Sequence, residues 1–327
     1  MKTVALFFGG LGNEAEVSIM SARNVVKHFD YQKHNLVLVY WNKQDKLFYD
    51  LKDIDQIRAK KNKILPIEQF SKRFDVAFLV THGRYGEDGV LQAILDSQAV
   101  KYCGCGVLSS ALCMDKAMFK DLMASQKIKQ VRYATINFLL DGPVDIENKI
   151  NYIKKFRLPI FVKPANSGSS VGITKVKDIK QLESSIKLAK KHDNKIIIEE
   201  GLTNPREIEV GVMGNSKLLV SRPGELRPAK EFYDYEDKYQ LGQAETIVPA
   251  NLGSKKEAAV RQLAERAYRA AGCQGFARVD LFIDQNKIYL NEINTLPGFT
   301  DISMFPMVMM NQKMSYRELI NKIISLA

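Results

Sequence analysis

Short apolar runs alternate with amphipathic stretches along the first part of the chain. Val4–Phe8 is an apolar run that reads as a strand, and the loop "GGLGNE" follows it. From about Val17 to Phe29, the residues Ala22, Val25, Val26 and Phe29 recur at helical spacing and predict an amphipathic helix. Leu36–Trp41 is a second strand, so the chain opens as a βαβ unit, which implies a parallel sheet. Residues 42–72 are charged and read as an elaborated connection. "DVAFLVTHG" (Asp75–Gly83) is a further strand that runs into the polar loop "HGRYGEDG". An open α/β domain with its loops gathered at the carboxyl edge accounts for this pattern.

Further along, the pattern changes. One helix spans about Ser109–Ser125, and "RLPIFVKPANSGSSVGITKV" reads as two strands around a glycine loop. A helix at about Ile179–Lys191 and the strand "KIIIEEGL" follow. "REIEVGVMGNSKLLV" reads as a hairpin turning at Gly214-Asn215. Arg222–Asn251 is long, polar and without a clear period; inside a compact protein such loops are usually functional lids. Lys255–Ala271 predicts a helix that buries Val260, Leu263, Ala264, Ala267 and Ala271, and a terminal helix ends near Leu326. No internal repeat is visible. The organisation expected is mixed, α/β then α+β, in three parts: residues 1–104, 105–199 and 200–327.

Composition narrows the function classes. The 327 residues, 46% of them apolar, suffice for two or three ordinary domains. No apolar run approaches the ~18–20 residues that span a bilayer. "MKTVALFFGG" lacks a small-residue cleavage site and reads as a first strand, not a signal peptide. Cys103, Cys105, Cys113 and Cys273 form no CxxC pair, so buried thiols in a reducing cytoplasm are expected. The net charge of +11 is spread along the chain. Clusters such as "RAKKNK" sit in polar segments and read as solvated faces, and no nucleic-acid-binding spacing is present. Small anionic substrates explain a basic surface equally well.

The richest chemistry lies near the C-terminus. In "FARVDLFID", Ala277, Val279, Leu281 and Ile283 alternate with Arg278, Asp280 and Phe282, so a strand puts the two sets on opposite faces. The partner strand "KIYLNEIN" supplies Glu292 and Asn294. A connecting loop of odd length sets Glu292 across from Asp280 and Asn294 across from Arg278; an even loop splits Asp280 and Glu292 between faces. The odd loop is therefore expected. Two carboxylates and an amide carbonyl suit Mg²⁺, which favours hard oxygen donors and binds phosphate. Arg278 beside them could clamp a phosphoryl group or a developing oxyanion. A surface ion pair between Arg278 and Glu292 is the bland alternative, and it leaves the purely apolar opposite face unexplained.

"VKPANSGSSVG" (Val162–Gly172) has a lysine ahead of its glycines, the reverse of a Walker loop. Exposed backbone N–H groups beside one fixed cation suit polyphosphate. A glycine/serine hairpin with a chance lysine fits the stretch alone equally well.

Taken together, the motifs carry a resemblance. "GGLGNEAEVS", "THGRYGEDG", "VKPANSGSSVG", "IIIEEGL", "REIEV", "FYDYEDKY", "ARVDLFID" and "NEINTLPGFT" occur in the order seen in ATP-grasp enzymes. From Val4 to about Met314 the chain resembles the D-alanine–D-alanine ligase family. The resemblance implies a three-domain ATP-grasp fold with a Rossmann-like parallel-sheet N-terminal domain and ATP held between two antiparallel sheets. It implies that Lys116 and Lys163 touch ATP phosphate while the loop carrying Gly168, Ser169 and Ser170 folds over it. Glu199, Glu200 and Leu202 match the strand that meets adenine, Glu207 a ribose-binding carboxylate, and Phe232 a ring that closes over the base. Glu209 shares the face of Glu207 and could be confused with it.

The resemblance also implies the reaction. One D-alanine carboxylate takes the γ-phosphoryl group of ATP, and the amine of a second D-alanine displaces phosphate, for peptidoglycan precursor synthesis. Asp280, Glu292 and Asn294 would hold two Mg²⁺ ions, with Mn²⁺ as a substitute. Arg278 and the Gly298 N–H would stabilise the tetrahedral oxyanion. Glu14 matches the group that fixes the first ammonium, and His82 a substrate-side histidine. Ser303, the Met304 backbone and Lys238 match the second carboxylate's site. Ser170 and Tyr239, with Glu14, match a latch on the lid "EFYDYEDKYQLGQAET". Tyrosine at 239, where D-alanyl-D-lactate makers often carry phenylalanine, predicts an amine nucleophile. Gly12, Asn13, Asn166 and Ser167 depart from the commonest patterns. A cytoplasmic homodimer, without nucleic-acid or membrane partners, is the expected form. A ligase using D-lactate or another amine, and a non-catalytic basic nucleotide-binding protein, are the competing readings.

Overall fold

The computed structural model describes residues 1–58, 62–168, 172–227 and 245–327. The chain runs β1 (Lys2–Gly9), α1 (Ala15–His28), β2 (His34–Trp41), β3 (Phe48–Leu51), β4 (Lys63–Ile64), α2 (Phe70–Arg73), β5 (Val76–Leu79), α3 (Val90–Ser97) and β6 (Lys101–Tyr102). β1 is apolar throughout its middle because it is central and covered on both faces, and Val4 to Phe8 are fully buried. It pairs in parallel with β2 and β5, as the βαβ opening predicts. The sheet order is β4-β3-β2-β1-β5-β6. The charged connection of residues 42–72 holds β3 and β4, which extend the sheet edge in antiparallel fashion. Phe48 is the anchor that its polarity disguises, packing on Trp41 with ring centroids 5.0 Å apart.

Next come α4 (Val107–Met114), α5 (Lys116–Ser125), β7 (Tyr133–Asn137), α6 (Pro143–Ile153), β8 (Ile160–Pro164), β9 (Thr174–Val176), α7 (Leu182–Lys190) and β10 (Lys195–Glu200). The single helix expected over Ser109–Ser125 is two. Asp115 takes an extended conformation between them, and its carboxylate accepts the N–H groups of Ala117 and Met118. An aspartate cap thus restarts the helix in a new direction. The second sheet, β7-β10-β8-β9, is antiparallel throughout.

The remainder is β11 (Arg206–Gly214), β12 (Leu218–Val220), β13 (Gly224–Arg227), β14 (Glu245–Ile247), α8 (Ser254–Ala270), β15 (Phe276–Asp284), β16 (Lys287–Asn294), α9 (Met304–Met310) and α10 (Tyr316–Ser325). The third sheet runs β14-β13-β11-β15-β16, with β12 paired to β11. Its apolar face meets α8 through Val260, Ala264 and Ala267, as the helical spacing predicts, and also through Tyr268, whose hydroxyl donates to the Gly214 carbonyl at 3.0 Å. The β11–β12 turn passes through Asn215 to Lys217, and Gly214 holds φ +131, a conformation that favours glycine.

Three cores result. The first joins the parallel sheet to α9, α10 and the loop before them. The second joins Cys105–Ile128 residues to the third sheet and α8. The third lies between the second sheet and its helices α6 and α7. Cys103, Cys105 and Cys113 are buried free thiols, and Cys273 is half-buried. Among the described residues no helix is long and apolar enough to cross a membrane.

Candidate active site

The polar face of the third sheet is built by register. Directly across three adjacent strands lie Glu209, Asp280 and Glu292; the next row is Gly211, Arg278 and Asn294. The pairing of Asp280 with Glu292 and of Arg278 with Asn294 is the one expected, but the odd loop is not. Only Gln285 and Asn286 separate Asp284 from its partner Lys287, an even loop. A β-bulge at Asn291, between the Leu281–Leu290 and Asp280–Glu292 pairs, supplies the missing residue and puts Glu292 on the polar face. Arg278 grips Asp280 with Nε and Nη2, both at 2.7 Å, and its Nε lies 2.8 Å from Glu209. Asn294 Nδ2 donates to Asp280 at 2.8 Å. Burial disfavours the Arg278 charge, yet Asp280 and Glu209 more than offset it and raise the guanidinium well above its ordinary value. Among the described residues no group of three or more histidine, cysteine, aspartate and glutamate side chains is arranged to hold a metal.

Beside this row are the two central strands of the second sheet, β8 and β10. Lys163, on β8, lies 2.5 Å from Glu199 on β10. Burial pulls the Lys163 ammonium down, but Glu199 raises it further, with Glu292 and Glu207 adding to the field. Lys116, the first residue of α5, donates to the Ser167 carbonyl at 2.8 Å and sits 3.8 Å from Glu292. Two ammonium groups from the glycine-loop side thus converge on the carboxylates of the third sheet. Glu14 immediately precedes α1, and its carboxylate reaches the same place. A Cβ on Gly83 would lie 1.7 Å from its carboxylate, and one on Gly168 3.2 Å.

The third wall is the loop from Thr295 to Ser303, pinned to the first sheet. His82 is buried; its Nδ1 meets the Leu296 carbonyl at 2.9 Å, so Nδ1 carries the proton and Nε2 accepts from Ser21 at 3.1 Å. Burial pushes this imidazole below its ordinary value. Glu87 accepts the N–H groups of Gly83 and Leu296, and burial, then Glu14, push its carboxyl up to about 7. Phe299 N–H donates to Ser21, and Asn24 donates to the Phe299 carbonyl. Gly298 has no room for a side chain, since a Cβ would lie 2.7 Å from Ser303 Oγ. Ser303 bonds Thr300 and precedes α9, whose first residue is the buried Met304.

Residues 3–105 match the model described as D-ala D-ala ligase N-terminus, and residues 122–325 match D-ala D-ala ligase C-terminus. The chain belongs to the D-alanine–D-alanine ligase family. A D-alanine--D-alanine ligase of Clostridium novyi is 41% identical over 342 residues, covering 100% of this chain and 98% of the relative. One from Chlorobaculum parvum is 40% identical over 355 residues, covering 100% and 96%. Among solved structures, the VanG D-Ala:D-Ser ligase of Enterococcus faecalis has TM-score 0.88 at 32% identity, covering 99% of each chain. The D-alanine-D-alanine ligase of Coxiella burnetii has TM-score 0.85 at 27% identity, covering 100% of this chain and 95% of that one.

Within this ligase family member, the other expected residues fall as follows. Glu207 lies on β11, two residues before Glu209 on the same face, and contributes to the field on Lys163. Glu200 ends β10, and its carboxylate accepts the Arg157 N–H at 3.1 Å, which turns it away from Lys163. Leu202 is half-buried just beyond. Ser169, Ser170, Phe232, Lys238 and Tyr239 lie outside the described residues, as does most of the lid segment. The sequence reading passed over Ser21, Glu87 and Lys120, and it named Glu209 only as a decoy for Glu207. Lys120 left a signal: it follows Lys116 by one helical turn at the end of "MDKAMFK".

Proposed function

We propose that this chain joins two D-alanines at the expense of ATP, making D-alanyl-D-alanine for peptidoglycan precursors in the cytoplasm. The observation that carries the reading is the convergence of Lys116 and Lys163 on the carboxylate row of the third sheet. One side offers cations for phosphate, and the other offers hard oxygen ligands and a clamped guanidinium. Glu14 holds the ammonium of the first D-alanine. That substrate's carboxylate oxygen attacks the γ-phosphorus, the bond to the β-phosphate oxygen breaks, and ADP departs. The product is an acyl phosphate, whose leaving group is far better than oxide. The second D-alanine, its carboxylate held by the Met304 N–H, Ser303 and Lys238, attacks with its free amine. Arg278 and the Gly298 N–H hold the oxyanion until the C–O bond to phosphate breaks. Gly168, Ser169 and Ser170 fold over the phosphates. The backbone of Glu199, Glu200 and Leu202 meets adenine under Phe232, with Glu207 on the ribose. His82, with both ring nitrogens engaged, orients the substrate loops.

Asp280, Glu292 and the Asn294 amide are a donor set that fits Mg²⁺ or Mn²⁺. Glu209, Asp280 and Glu292 lie directly across adjacent strands and repel one another, with Arg278 set against Glu209 and Asp280 and Lys116 3.8 Å from Glu292. Rotating the Asn294 amide presents its oxygen beside Asp280, an arrangement that only a cation favours. When bound there, the ion neutralises charge on the transferring phosphoryl group. The chain works as a homodimer of three-part subunits, 1–104, 105–199 and 200–327.

The test is phosphate release from ATP with Mg²⁺, with and without D-alanine, and mass analysis of the product. The wild type releases phosphate only with D-alanine, and Asp280→Asn loses about a hundredfold or more. Release stimulated equally by L-alanine would end the assignment. The likeness to a D-Ala:D-Ser ligase supports a second reading, in which D-serine is the acceptor. Offered D-alanine, D-serine and D-lactate together, the protein should give D-alanyl-D-alanine as the dominant product; a D-Ala-D-Ser majority would favour the second reading.

A further inference from the structure

Lys120 is 2% exposed, an extreme position for a lysine, and its Nζ lies 2.8 Å from Oε1 of Glu199. The other oxygen of the same carboxylate, Oε2, is the one that holds Lys163. Glu199 is therefore a bridge between two ammonium groups. Burial would raise its carboxyl, but Lys120 and then Lys163 pull it far below the usual carboxylate range. It stays charged, and the triad carries one net positive charge.

A single lysine would have sufficed to neutralise Glu199. A two-member pair of Lys163 and Glu199 would be electrically silent, with the ammonium fully committed to its partner. Adding Lys120 shares the carboxylate and leaves a unit of positive charge to be placed. Lys120 is sealed by the Tyr133 ring, 5.7 Å away, whereas the Lys163 side chain is 16% exposed and faces Glu292 and Glu207 across the cleft. The surplus charge emerges at Lys163. We propose that Lys120 is a positioning residue: by occupying half of Glu199, it keeps the Lys163 ammonium from being fully committed to that carboxylate and so leaves it available to bind the phosphates of ATP. This rests on the ATP-dependent reading above and adds a residue to it.

The test is a set of charge-matched variants. In Lys120→Met, Glu199 has only Lys163 left to satisfy it, and affinity for ATP should fall about tenfold, the scale of one charge pair in a partly buried site. In Lys120→Met/Glu199→Gln, one charge of each sign is removed, Lys163 is released, and ATP affinity should return to within about threefold of wild type. Lys120→Arg should retain it. Two readouts are used: calorimetric binding of a non-hydrolysable ATP analogue, and the KM for ATP against kcat. The KM for D-alanine should stay unchanged. A merely structural lysine predicts lower thermal stability in the single variant with no selective change in nucleotide affinity, and no recovery in the double. Unchanged analogue binding in Lys120→Met overturns the proposal, as does a double variant no better than the single. If Lys120→Met fails to fold, a folded double variant with binding about tenfold weaker than wild type also overturns it. Analogue binding needs no turnover, so a wild type that binds it but releases no phosphate with D-alanine refutes the ligase reading while leaving this one standing.

Discussion

At the level of single residues, the site depends on places where a side chain is missing. Gly83 holds φ +64, and any Cβ there would overlap the Glu14 carboxylate, 1.7 Å away. Gly168 closes on the same carboxylate from the glycine loop. Glu14 is thus wedged between two loops far apart in sequence, and glycine at both is what lets the acid stand in the cleft. Gly83→Ala would add left-handed strain of about 1–2 kcal/mol and displace the carboxylate. Since Glu14 is assigned to the first D-alanine, its KM for D-alanine should rise about tenfold or more, with the KM for ATP little changed. Steady-state titration of each substrate separates the two. A selective rise in the ATP value instead would move Glu14 away from the amino acid.

For whole elements, the decisive feature is the β15–β16 hairpin. Its side chains alternate with period two, so a one-residue slip exchanges the polar face for the core face. The bulge at Asn291 sets which residues lie beyond it on that face. Deleting Asn291 removes the bulge but still leaves Glu292 across from Asp280, so phosphate release should persist within about tenfold of wild type. Inserting an alanine after Asn291 turns Glu292 and Asn294 toward α8, and D-alanine-dependent release should vanish. An active insertion variant would show that the carboxylate row is not the catalytic face.

The same hairpin marks where the sequence was legible. The alternation in "FARVDLFID" located the face and its partners, while the turn length was misjudged. The clue was present: apolar Ile288 and Leu290 share one parity, and Ile293 has the other, which only an extra residue can reconcile. Asp115 likewise announced a cap inside what read as one helix. Lys120 and Glu199 are different. Helical spacing can align Lys120 with Lys116, but no local pattern says that it meets a strand residue 79 positions later; that pairing belongs to tertiary packing.

Across the whole molecule, the cleft is framed by cores of unlike connectivity. The parallel sheet shares its core with the chain's far end: Phe299 is fully buried, and its ring lies 5.6 Å from Phe78, 5.7 Å from Phe276 and 5.6 Å from Phe305. The Phe299 N–H donates to the Ser21 hydroxyl, and its carbonyl accepts from the Asn24 side-chain amide and from the Tyr316 hydroxyl at 2.6 Å, which fixes the 295–303 loop to this junction. The second sheet, with its glycine loop, keeps a separate core around Ile160, Val162, Ile196 and Ile198. Stability should therefore be divided: the first sheet, substrate loop and terminal helices open together, and the second sheet opens alone. Phe299→Ala should cost about 3–5 kcal/mol. Hydrogen exchange should show the loss in peptides from β1, β5, α9 and α10, with β8 and β10 retaining their protection. Equal loss in β8 and β10 would mean one cooperative unit, and a cleft whose two walls cannot move independently as substrates enter and leave.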